Sequence, residues 1–215
     1  MRLVVLGPPG AGKGTQARNL SKYYKTPHIS TGDILRAQIE MQTEIGEEIK
    51  HDMKVGNLVK DEIVLRLIMK NIAAGDFVLD GYPRTLCQAE ILDYLTGVMG
   101  IKLDRVVAVD VSDDVIIERM SGRVSCSRCG EVFHLHYHPP KIRDKCNVCG
   151  GGLVQRPDDK ATTVRNRLDI YHKTTSPIIE FYKKKDLVLS VSGIGEIGEI
   201  TQQMIGELGD KSKWR

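Results

Sequence analysis

Between Gly7 and Thr15 the chain reads Gly-Pro-Pro-Gly-Ala-Gly-Lys-Gly-Thr, a glycine-rich sequence with a single lysine near its end. It follows an apolar run that is typical of a β-strand, and it opens a helical pattern that begins at Lys13. In such a loop, glycines let backbone N–H groups surround phosphate oxygens, while the lysine reaches the β- and γ-phosphates. We therefore interpret it as a Walker A loop and not as a purely structural turn. Gly14 occupies the place of the usual Ser or Thr, so the hydroxyl follows on Thr15.

Apolar runs and helical patterns alternate along much of the chain. We predict strands at Arg2 to Leu6, His28 to Ile29, Phe77 to Leu79, Arg105 to Val111 and Leu187 to Val191. We predict helices at Lys13 to Tyr24, Asp61 to Ala74, Gln88 to Thr96, Asp113 to Met120 and about Ala161 to Lys185. Alternating strands and helices favour a parallel sheet. The sequence thus predicts an α/β fold with a five-stranded parallel sheet flanked by helices.

Two stretches interrupt this alternation. Residues 30–59 are helical without a strand, and residues 122–159 contain paired cysteines and many glycines. We call them the first insertion and the second insertion, and we interpret them as small domains inserted into a P-loop core. That core is predicted to consist of residues 1–29, 60–121 and 160–215.

The overall composition is that of an ordinary globular protein. The chain has 215 residues, of which 41% are apolar and 27% charged, and no apolar run approaches the ~18 residues of a membrane span. A net charge of +3 and 5% aromatic residues give little support to a nucleic-acid surface. We expect a cytoplasmic monomer with neither a membrane nor a nucleic acid as partner.

Four of the five cysteines form two Cys-x-x-Cys pairs separated by sixteen residues, namely Cys126, Cys129, Cys146 and Cys149. This spacing is typical of tetrahedral zinc held by four thiolates, and it favours zinc over a redox pair or disulfides. Four protein ligands leave no open position, so the zinc is expected to be structural. We expect the fifth, Cys87, to be buried as a small hydrophobe. His134, His136 and His138 alternate as on one face of an extended hairpin.

Several motifs follow the Walker A loop in a characteristic order. They are Ser30-Thr31-Gly32-Asp33, Asp80-Gly81-Tyr82-Pro83-Arg84-Thr85, Gly122-Arg123, Arg156-Pro157-Asp158-Asp159 and Arg167-Leu168. Over nearly its whole length the chain resembles the adenylate kinases, in particular the bacterial form with a long, zinc-binding lid. The resemblance implies reversible transfer of the terminal phosphoryl of Mg²⁺-ATP to AMP, giving two ADP, with the first insertion binding AMP and the second serving as the lid.

The same resemblance assigns roles to individual residues. The catalytic set would be Lys13, Arg84, Arg123, Arg156, Arg167, Asp158 and Asp159. ATP would contact Gly10, Ala11, Gly12, Lys13, Gly14, Thr15, Arg119, Arg123, Val132, Phe133 and Gly195. AMP would contact Thr31, Arg36, Asn57, Leu58, Val59, Gly81, Tyr82, Pro83, Arg84, Gln88, Arg156 and Arg167. Mg²⁺ would be held through water by Asp80.

The chemistry of these residue types agrees with those roles. Phosphoryl transfer needs fixed cations around spread negative charge, and arginine binds phosphate oxygens in pairs while staying charged. The amide of Gln88 offers a donor and an acceptor to a base edge. Two alternatives stay open: a related kinase that uses UMP, CMP or GTP, and a zinc-ribbon nucleic-acid binder that uses nucleotide as a switch. Lys60, where relatives often have proline, and Phe133, where tyrosine is common, depart from the family pattern.

Overall fold

The computed structural model describes residues 1–72 and 75–210. Its strands are β1 (Arg2–Leu6), β2 (His28–Ser30), β3 (Phe77–Asp80), β4 (Arg105–Asp110), β5 (Arg123–Cys126), β6 (Val132–His134), β7 (Leu153–Val154) and β8 (Val188–Ser192). Five of them form one parallel sheet in the order β2-β3-β1-β4-β8, in which Val5 pairs with Asp80 and Val107. All five predicted strands are therefore confirmed, and their carboxyl ends lie at one edge.

Helices cover both faces of this sheet. They are α1 (Lys13–Tyr24), α2 (Thr31–Glu40), α3 (Glu44–Val55), α4 (Asp61–Ile72), α5 (Leu86–Val98), α6 (Asp113–Ser121), α7 (Ala161–Ile170), α8 (Ser176–Lys183) and α9 (Ile197–Leu208). Alternate residues of β1 belong to two separate cores: Val5 packs with α1, α6 and α9, whereas Val4 packs with α4, α5 and α8. Burial on both faces explains why the central strands are continuously apolar.

The single long helix predicted from Ala161 to Lys185 is wrong. After α7 the chain widens into a π-helical turn, Tyr171–Thr175, in which the backbone N–H of Ser176 donates to the carbonyl of Tyr171. Pro177 follows in the first turn of α8. Proline lacks a backbone N–H and its ring clashes with the carbonyl four residues earlier, so a regular helix is interrupted before it.

The second insertion is a small domain with a sheet of its own. Its strands are antiparallel in the order β6-β5-β7. The predicted extended histidine face is wrong, because β6 ends at His134 and the chain turns back so that His134 pairs with His138. The His134 Nδ1 accepts hydrogen bonds from the backbone N–H groups of His136 and Tyr137, which closes this turn.

Two further expectations can be compared with the structure. Cys87 is exposed near the start of α5, so its predicted burial is wrong. The predicted residues Ala73 and Ala74 of α4 and the chain end, 211–215, lie outside the described residues. Within the described ranges, no helix combines the length and the apolar character that crossing a membrane requires.

Candidate active site

The Walker A loop joins β1 to α1 in the conformation that its glycines allow. Gly7, Gly10 and Gly12 have positive φ angles of 145°, 83° and 90°, and Gly12 is the N-cap of α1. At Gly7 a β-carbon would lie 2.4 Å from the carbonyl oxygen of Val109, so the close approach to β4 also requires glycine. The loop therefore ends at a helix N-terminus, where free backbone N–H groups favour an anion.

Lys13, the first residue of α1, is directed back into this loop. Its Nζ donates a hydrogen bond to the carbonyl oxygen of Pro8 at 2.7 Å. Burial lowers the pKa of Lys13 to about 7; nearby Arg84, Arg167 and Arg123 act in the same direction, while Asp80 opposes them. The ammonium thus lacks sufficient negative charge around it, which a phosphate would supply.

Asp80 ends β3 beside the first turn of α1. A β-carbon placed at Gly14 would lie 3.1 Å from the Asp80 Oδ2, so the glycine after Lys13 makes room for this carboxylate. Although burial raises it, His28, Lys13 and Arg84 hold the pKa of Asp80 below its ordinary value. The Nε2 of His28 lies 3.6 Å from Oδ2. Asp80 is therefore a carboxylate held in its anionic form next to the phosphate loop.

Two adjoining clefts open at the carboxyl edge of the main sheet. One, of about 540 Å³, lies beside the first insertion and is lined by Thr31, Gly32, Leu35, Arg36, Met53, Gly56, Asn57, Leu58, Val59, Val64, Gly81, Arg84, Gln88, Asp158 and Arg167. The other, of about 480 Å³, is lined by Val5, Leu6, Gly7, Pro9, Lys13, Gly56, Leu58, Gly81, Pro83, Arg84, Arg167, Ile170, Tyr171 and Thr175. Arg84 and Arg167 line both clefts, so they stand where the two meet.

Carboxylates hold two of the predicted arginines in place. Arg123 donates from Nε to the Asp159 Oδ2 at 2.8 Å and from Nη2 to the other oxygen, forming a two-pronged pair. The side chain of Asp159 is fully buried. Arg167 donates from Nη1 to the Asp158 Oδ2 at 2.6 Å. The fork of two hydrogen bonds fixes the guanidinium plane of Arg123, whereas Arg167 is held through one nitrogen.

Three further arginines add positive charge to the cluster. Burial and the nearby guanidinium groups of Arg36 and Arg123 lower the pKa of Arg156 to about 10. Burial likewise lowers the pKa of Arg84, whose Nε donates to the carbonyl oxygen of Gly81 at 2.8 Å. Arg36 pairs with Asp33 at 2.5 Å. The site thus concentrates positive charge that its own carboxylates do not balance.

Gln88 lies in the first turn of α5, and its amide is bonded at both ends. Its Oε1 accepts from the backbone N–H of Arg84 at 2.7 Å, and its Nε2 donates to the Asp61 Oδ1 at 2.6 Å. Only 3% of Gln88 is exposed, although it lines the first cleft. Thr31, which lines the same cleft, donates through Oγ1 to the carbonyl oxygen of Gly81 at 2.9 Å.

The remaining predicted contacts lie around the second insertion and the loop after β8. Arg119 donates to the carbonyl oxygen of Gly193 at 2.9 Å, which ties α6 to the loop that contains Gly195. The ring of Phe133 is 2% exposed and stacks on His138 inside the second insertion. The Phe133 ring therefore takes part in the packing of the second insertion, at a position predicted to contact ATP.

The four paired cysteines come together in the second insertion. Their sulfur atoms all lie within 4.8 Å of one another, and two of the S–S distances are 3.5 Å and 3.6 Å. Tetrahedral zinc with bonds of about 2.3 Å places its sulfurs about 3.8 Å apart, and a disulfide about 2.05 Å. Backbone N–H groups also donate to the sulfurs of Cys126 and Cys146, each at 3.4 Å. The donor set fits a tetrahedral metal ion.

The ionisation of these thiols points the same way. Burial opposes it, but backbone hydrogen bonds from Cys129 and Arg128 lower the pKa of Cys126 to about 7. Burial and the neighbouring sulfurs raise the pKa of Cys129 to about 12. The neighbouring sulfurs thus oppose ionisation of Cys129, and a cation among the four would remove that opposition.

Three residues at the site received no role from the sequence. Asp33 pairs with Arg36, and Asp61 accepts the amide of Gln88. Arg18, on α1, donates to the carbonyl oxygen of Gly130 at 3.0 Å and to the Glu131 Oε2 at 3.3 Å, joining the core to the second insertion. Asp33 belongs to a quoted motif and Asp61 begins a predicted helix, but neither signal discloses the partner.

Comparison with known proteins agrees with this geometry. The family model described as adenylate kinase matches residues 5–187. An adenylate kinase of Caldicellulosiruptor saccharolyticus is 48% identical over 213 residues, which are 97% of this chain and 99% of that protein. The adenylate kinase of Methanocella arvoryzae is 47% identical over 205 residues, which are 94% of this chain and 95% of that protein. The adenylate kinase of Clostridium kluyveri is 43% identical over 213 residues, which are 97% of this chain and 98% of that protein. The chain belongs to the adenylate kinase family of nucleoside monophosphate kinases.

Proposed function

We propose that the two clefts bind ATP and AMP and that the phosphoryl group passes between them at Arg84 and Arg167. The observation that carries this proposal is that both arginines line both clefts, and that Lys13 lines one of them. An oxygen of the AMP phosphate attacks the γ-phosphorus of ATP, and the bond between that phosphorus and the β-phosphate oxygen breaks. Two ADP result, and no proton needs to be transferred.

ATP is proposed to bind on the α1 side. The backbone of Gly10, Ala11, Gly12, Lys13, Gly14 and Thr15 would hold its phosphates, since no side chain caps this helix start and an anion can take that place. Arg119 and Arg123 would contact the same nucleotide, and the backbone near Val132, Phe133 and Gly195 would border its base. The hydrogen bond from Arg119 to Gly193 supports this, because it holds Arg119 beside the loop that contains Gly195.

AMP is proposed to bind beside the first insertion. Its base would lie against Asn57, Leu58 and Val59 and be read by Gln88, and its phosphate would be held by cations. The cleft supports this, since its wall is apolar near Val59 and cationic near Arg84. The proposed contacts also include Thr31, Arg36, Gly81, Tyr82, Pro83, Arg156 and Arg167.

The catalytic contribution of the protein is proposed to be fixed positive charge. Negative charge spreads over the oxygens of the transferring phosphoryl, and preorganised cations stabilise it without rearrangement. Asp158 and Asp159 act on the arginines, which they hold in place. When bound, Mg²⁺ neutralises phosphate charge; Asp80 is the residue proposed to hold it through water, since Mg²⁺ prefers oxygen ligands and keeps several waters.

We propose that the second insertion is a closing lid with a structural zinc ion held by Cys126, Cys129, Cys146 and Cys149. A domain of fewer than 40 residues buries little apolar surface, so a metal supplies rigidity that packing does not. Closure excludes water, which would otherwise accept the phosphoryl group. Thiols that are unpaired and suited to a metal favour a reducing, cytoplasmic location. A monomeric state stays a prediction, to be measured by light scattering.

The first experiment is an assay of ADP formation from Mg²⁺-ATP with AMP, GMP, UMP and CMP in turn. Rapid turnover with AMP is expected, and preference for another acceptor would refute the AMP assignment. Replacing one charge-stabilising residue typically lowers kcat by about 10² to 10³. Arg167→Ala is therefore expected to lose this activity, whereas Arg165→Ala, an exposed residue of the same helix, serves as the control. Equal activity of the two variants would refute the role of Arg167.

The zinc proposal is tested separately by metal analysis of the purified protein. One zinc ion per chain is expected, and Cys146→Ser is expected to lower that content. A protein that retains full stability and is metal-free after purification would contradict a structural metal.

A further inference from the structure

The amide of Gln88 is bonded between two groups of opposite and fixed polarity. The backbone N–H of Arg84 meets its Oε1 at 2.7 Å, and the Asp61 Oδ1 meets its Nε2 at 2.6 Å. A backbone N–H only donates and a carboxylate only accepts. Turning the amide over would place an N–H against an N–H and an oxygen against a carboxylate. The two bonds therefore permit one orientation of the amide.

Asp61 is itself held by the start of α5. Its Oδ2 accepts from the hydroxyl of Thr85 at 2.9 Å, and the same hydroxyl accepts from the backbone N–H of Gln88 at 3.1 Å. Every donor in this chain of bonds is thus directed towards the Asp61 carboxylate. Asp61 is the first residue of α4, where the helix dipole also favours a negative charge.

We infer that Asp61 is a positioning residue that sets the base specificity of the acceptor site by fixing the orientation of the Gln88 amide. The inference rests on the proposed function, in which Gln88 reads the base of the acceptor nucleotide. Asp61 acts without touching that base, through its hydrogen bond to the Nε2 of Gln88.

The fixed orientation leaves one hydrogen on Nε2 and one lone pair on Oε1 for a ligand. The adenine edge matches them, because it has an amino donor at N6 beside a ring nitrogen that accepts. In hypoxanthine and guanine the same edge carries an oxygen at position 6 and an N–H at N1. The oxygen at position 6 would then face the Gln88 Oε1, and the N1–H would face the Gln88 Nε2–H. These bases are therefore repelled by the amide, which is a stronger discrimination than the loss of a hydrogen bond.

The wild-type enzyme alone offers a sharp test, using three acceptors that differ only at this edge. They are AMP, purine riboside 5′-monophosphate, which lacks the group at position 6, and IMP. A fixed amide predicts the order AMP, purine riboside monophosphate, IMP in kcat/KM, because IMP suffers two repulsions where the purine loses one bond. A freely turning amide would recover both bonds to IMP, and an order with IMP above the purine would overturn the inference.

The variant Asp61→Asn weakens the constraint without changing side-chain size, since an asparagine amide can present either an acceptor or a donor to Gln88. Its preference for AMP over IMP is expected to fall by at least about 10-fold, the effect of one hydrogen bond to a charged group. Part of the preference should remain because the Arg84 N–H still donates. The fall is expected to appear as a higher KM for AMP, with the KM for ATP unchanged.

Two comparison variants separate the outcomes. Glu62→Gln removes a neighbouring, exposed carboxylate from the same first turn of α4 and is expected to leave the ratio unaltered. Gln88→Ala is expected to reduce the ratio further than Asp61→Asn. Equal losses for AMP and IMP in Asp61→Asn would overturn the inference while leaving the role of Gln88 intact. An unaltered ratio in Gln88→Ala would instead refute that role, and with it the inference.

Discussion

Gly14→Ala isolates the contribution of the Asp80 position to phosphoryl transfer. Gly14 is the second residue of α1, and a β-carbon there would lie 3.1 Å from the Asp80 Oδ2. Gly198 is likewise the second residue of its helix, α9, and a β-carbon there would meet nothing within 4 Å. Because alanine replaces glycine near a helix start in both variants, the gain from helix propensity is matched and only the contact with Asp80 differs.

The magnitude follows from that distance. An ordinary contact begins near 3.4 Å, so the carboxylate must move by about 0.3 Å or more. A misplacement of about 1 Å in an active site costs about 10²-fold in rate, and a shift of a third of that corresponds to about 3- to 10-fold. Helix propensity should raise the free energy of unfolding of Gly198→Ala by about 0.5–1 kcal/mol, and that of Gly14→Ala by less.

The assay is steady-state ADP formation as a function of Mg²⁺-ATP at saturating AMP, together with urea denaturation of both variants. We expect Gly198→Ala to retain wild-type kinetics and Gly14→Ala to lose kcat/KM for ATP. The Mg²⁺ concentration for half-maximal rate should also rise in Gly14→Ala, because Asp80 is the proposed magnesium contact. Wild-type rates in Gly14→Ala, or an equal loss in Gly198→Ala, would refute the reasoning.

Three further predictions concern charge and metal. Because the pKa of Lys13 is lowered to about 7, phosphate binding should raise it, so ATP binding at pH 8 is expected to take up protons. The affinity for ATP is expected to fall as the pH rises above 7. Titration calorimetry in buffers of different ionisation enthalpy measures this proton uptake, which Lys13→Met is expected to remove. Asp159→Ala leaves the partly buried Arg123 without its carboxylate and is expected to lower the free energy of unfolding by about 2 kcal/mol in urea denaturation, and a change below about 1 kcal/mol would contradict this. With zinc bound, thiol titration of the native protein should count one fast-reacting cysteine, the exposed Cys87, and all five after chelation; five fast thiols before chelation would argue against the metal.

The strands and the phosphate loop were predictable because their signals are local. The run from Val106 to Val109 is apolar at every position, which is typical of a strand buried on both faces of a sheet. In the structure β4 is such a strand. The cysteine spacing is equally local, and it correctly brings the four sulfurs together. Each of these features depends on residues that are close in sequence.

What the sequence did not disclose depends on tertiary partners. Asp61 and Gln88 are 27 positions apart, and nothing in either surrounding pattern indicates a bond of 2.6 Å between them. Phe133 has the character of a nucleotide-stacking residue, yet its ring is used to fill the core of the second insertion, where a small domain has few other apolar groups. Pro177 is the local signal for the turn at Tyr171–Thr175, but the helical patterns on both sides of the turn predict one continuous helix.

The lowered pKa values of the site connect its electrostatics to the need for a lid. Burial lowers the pKa of Lys13, Arg84, Arg156 and Arg167, so the free protein holds these cations at a cost in solvation. The negative charge of the nucleotide phosphates would compensate that cost. The total phosphate charge beside the cations would stay the same while the phosphoryl group passes from one nucleotide to the other. Because water would weaken each of these interactions, the proposed closure of the second insertion would strengthen them and exclude hydrolysis at the same time. On this proposal, catalysis and protection from water depend on the same burial.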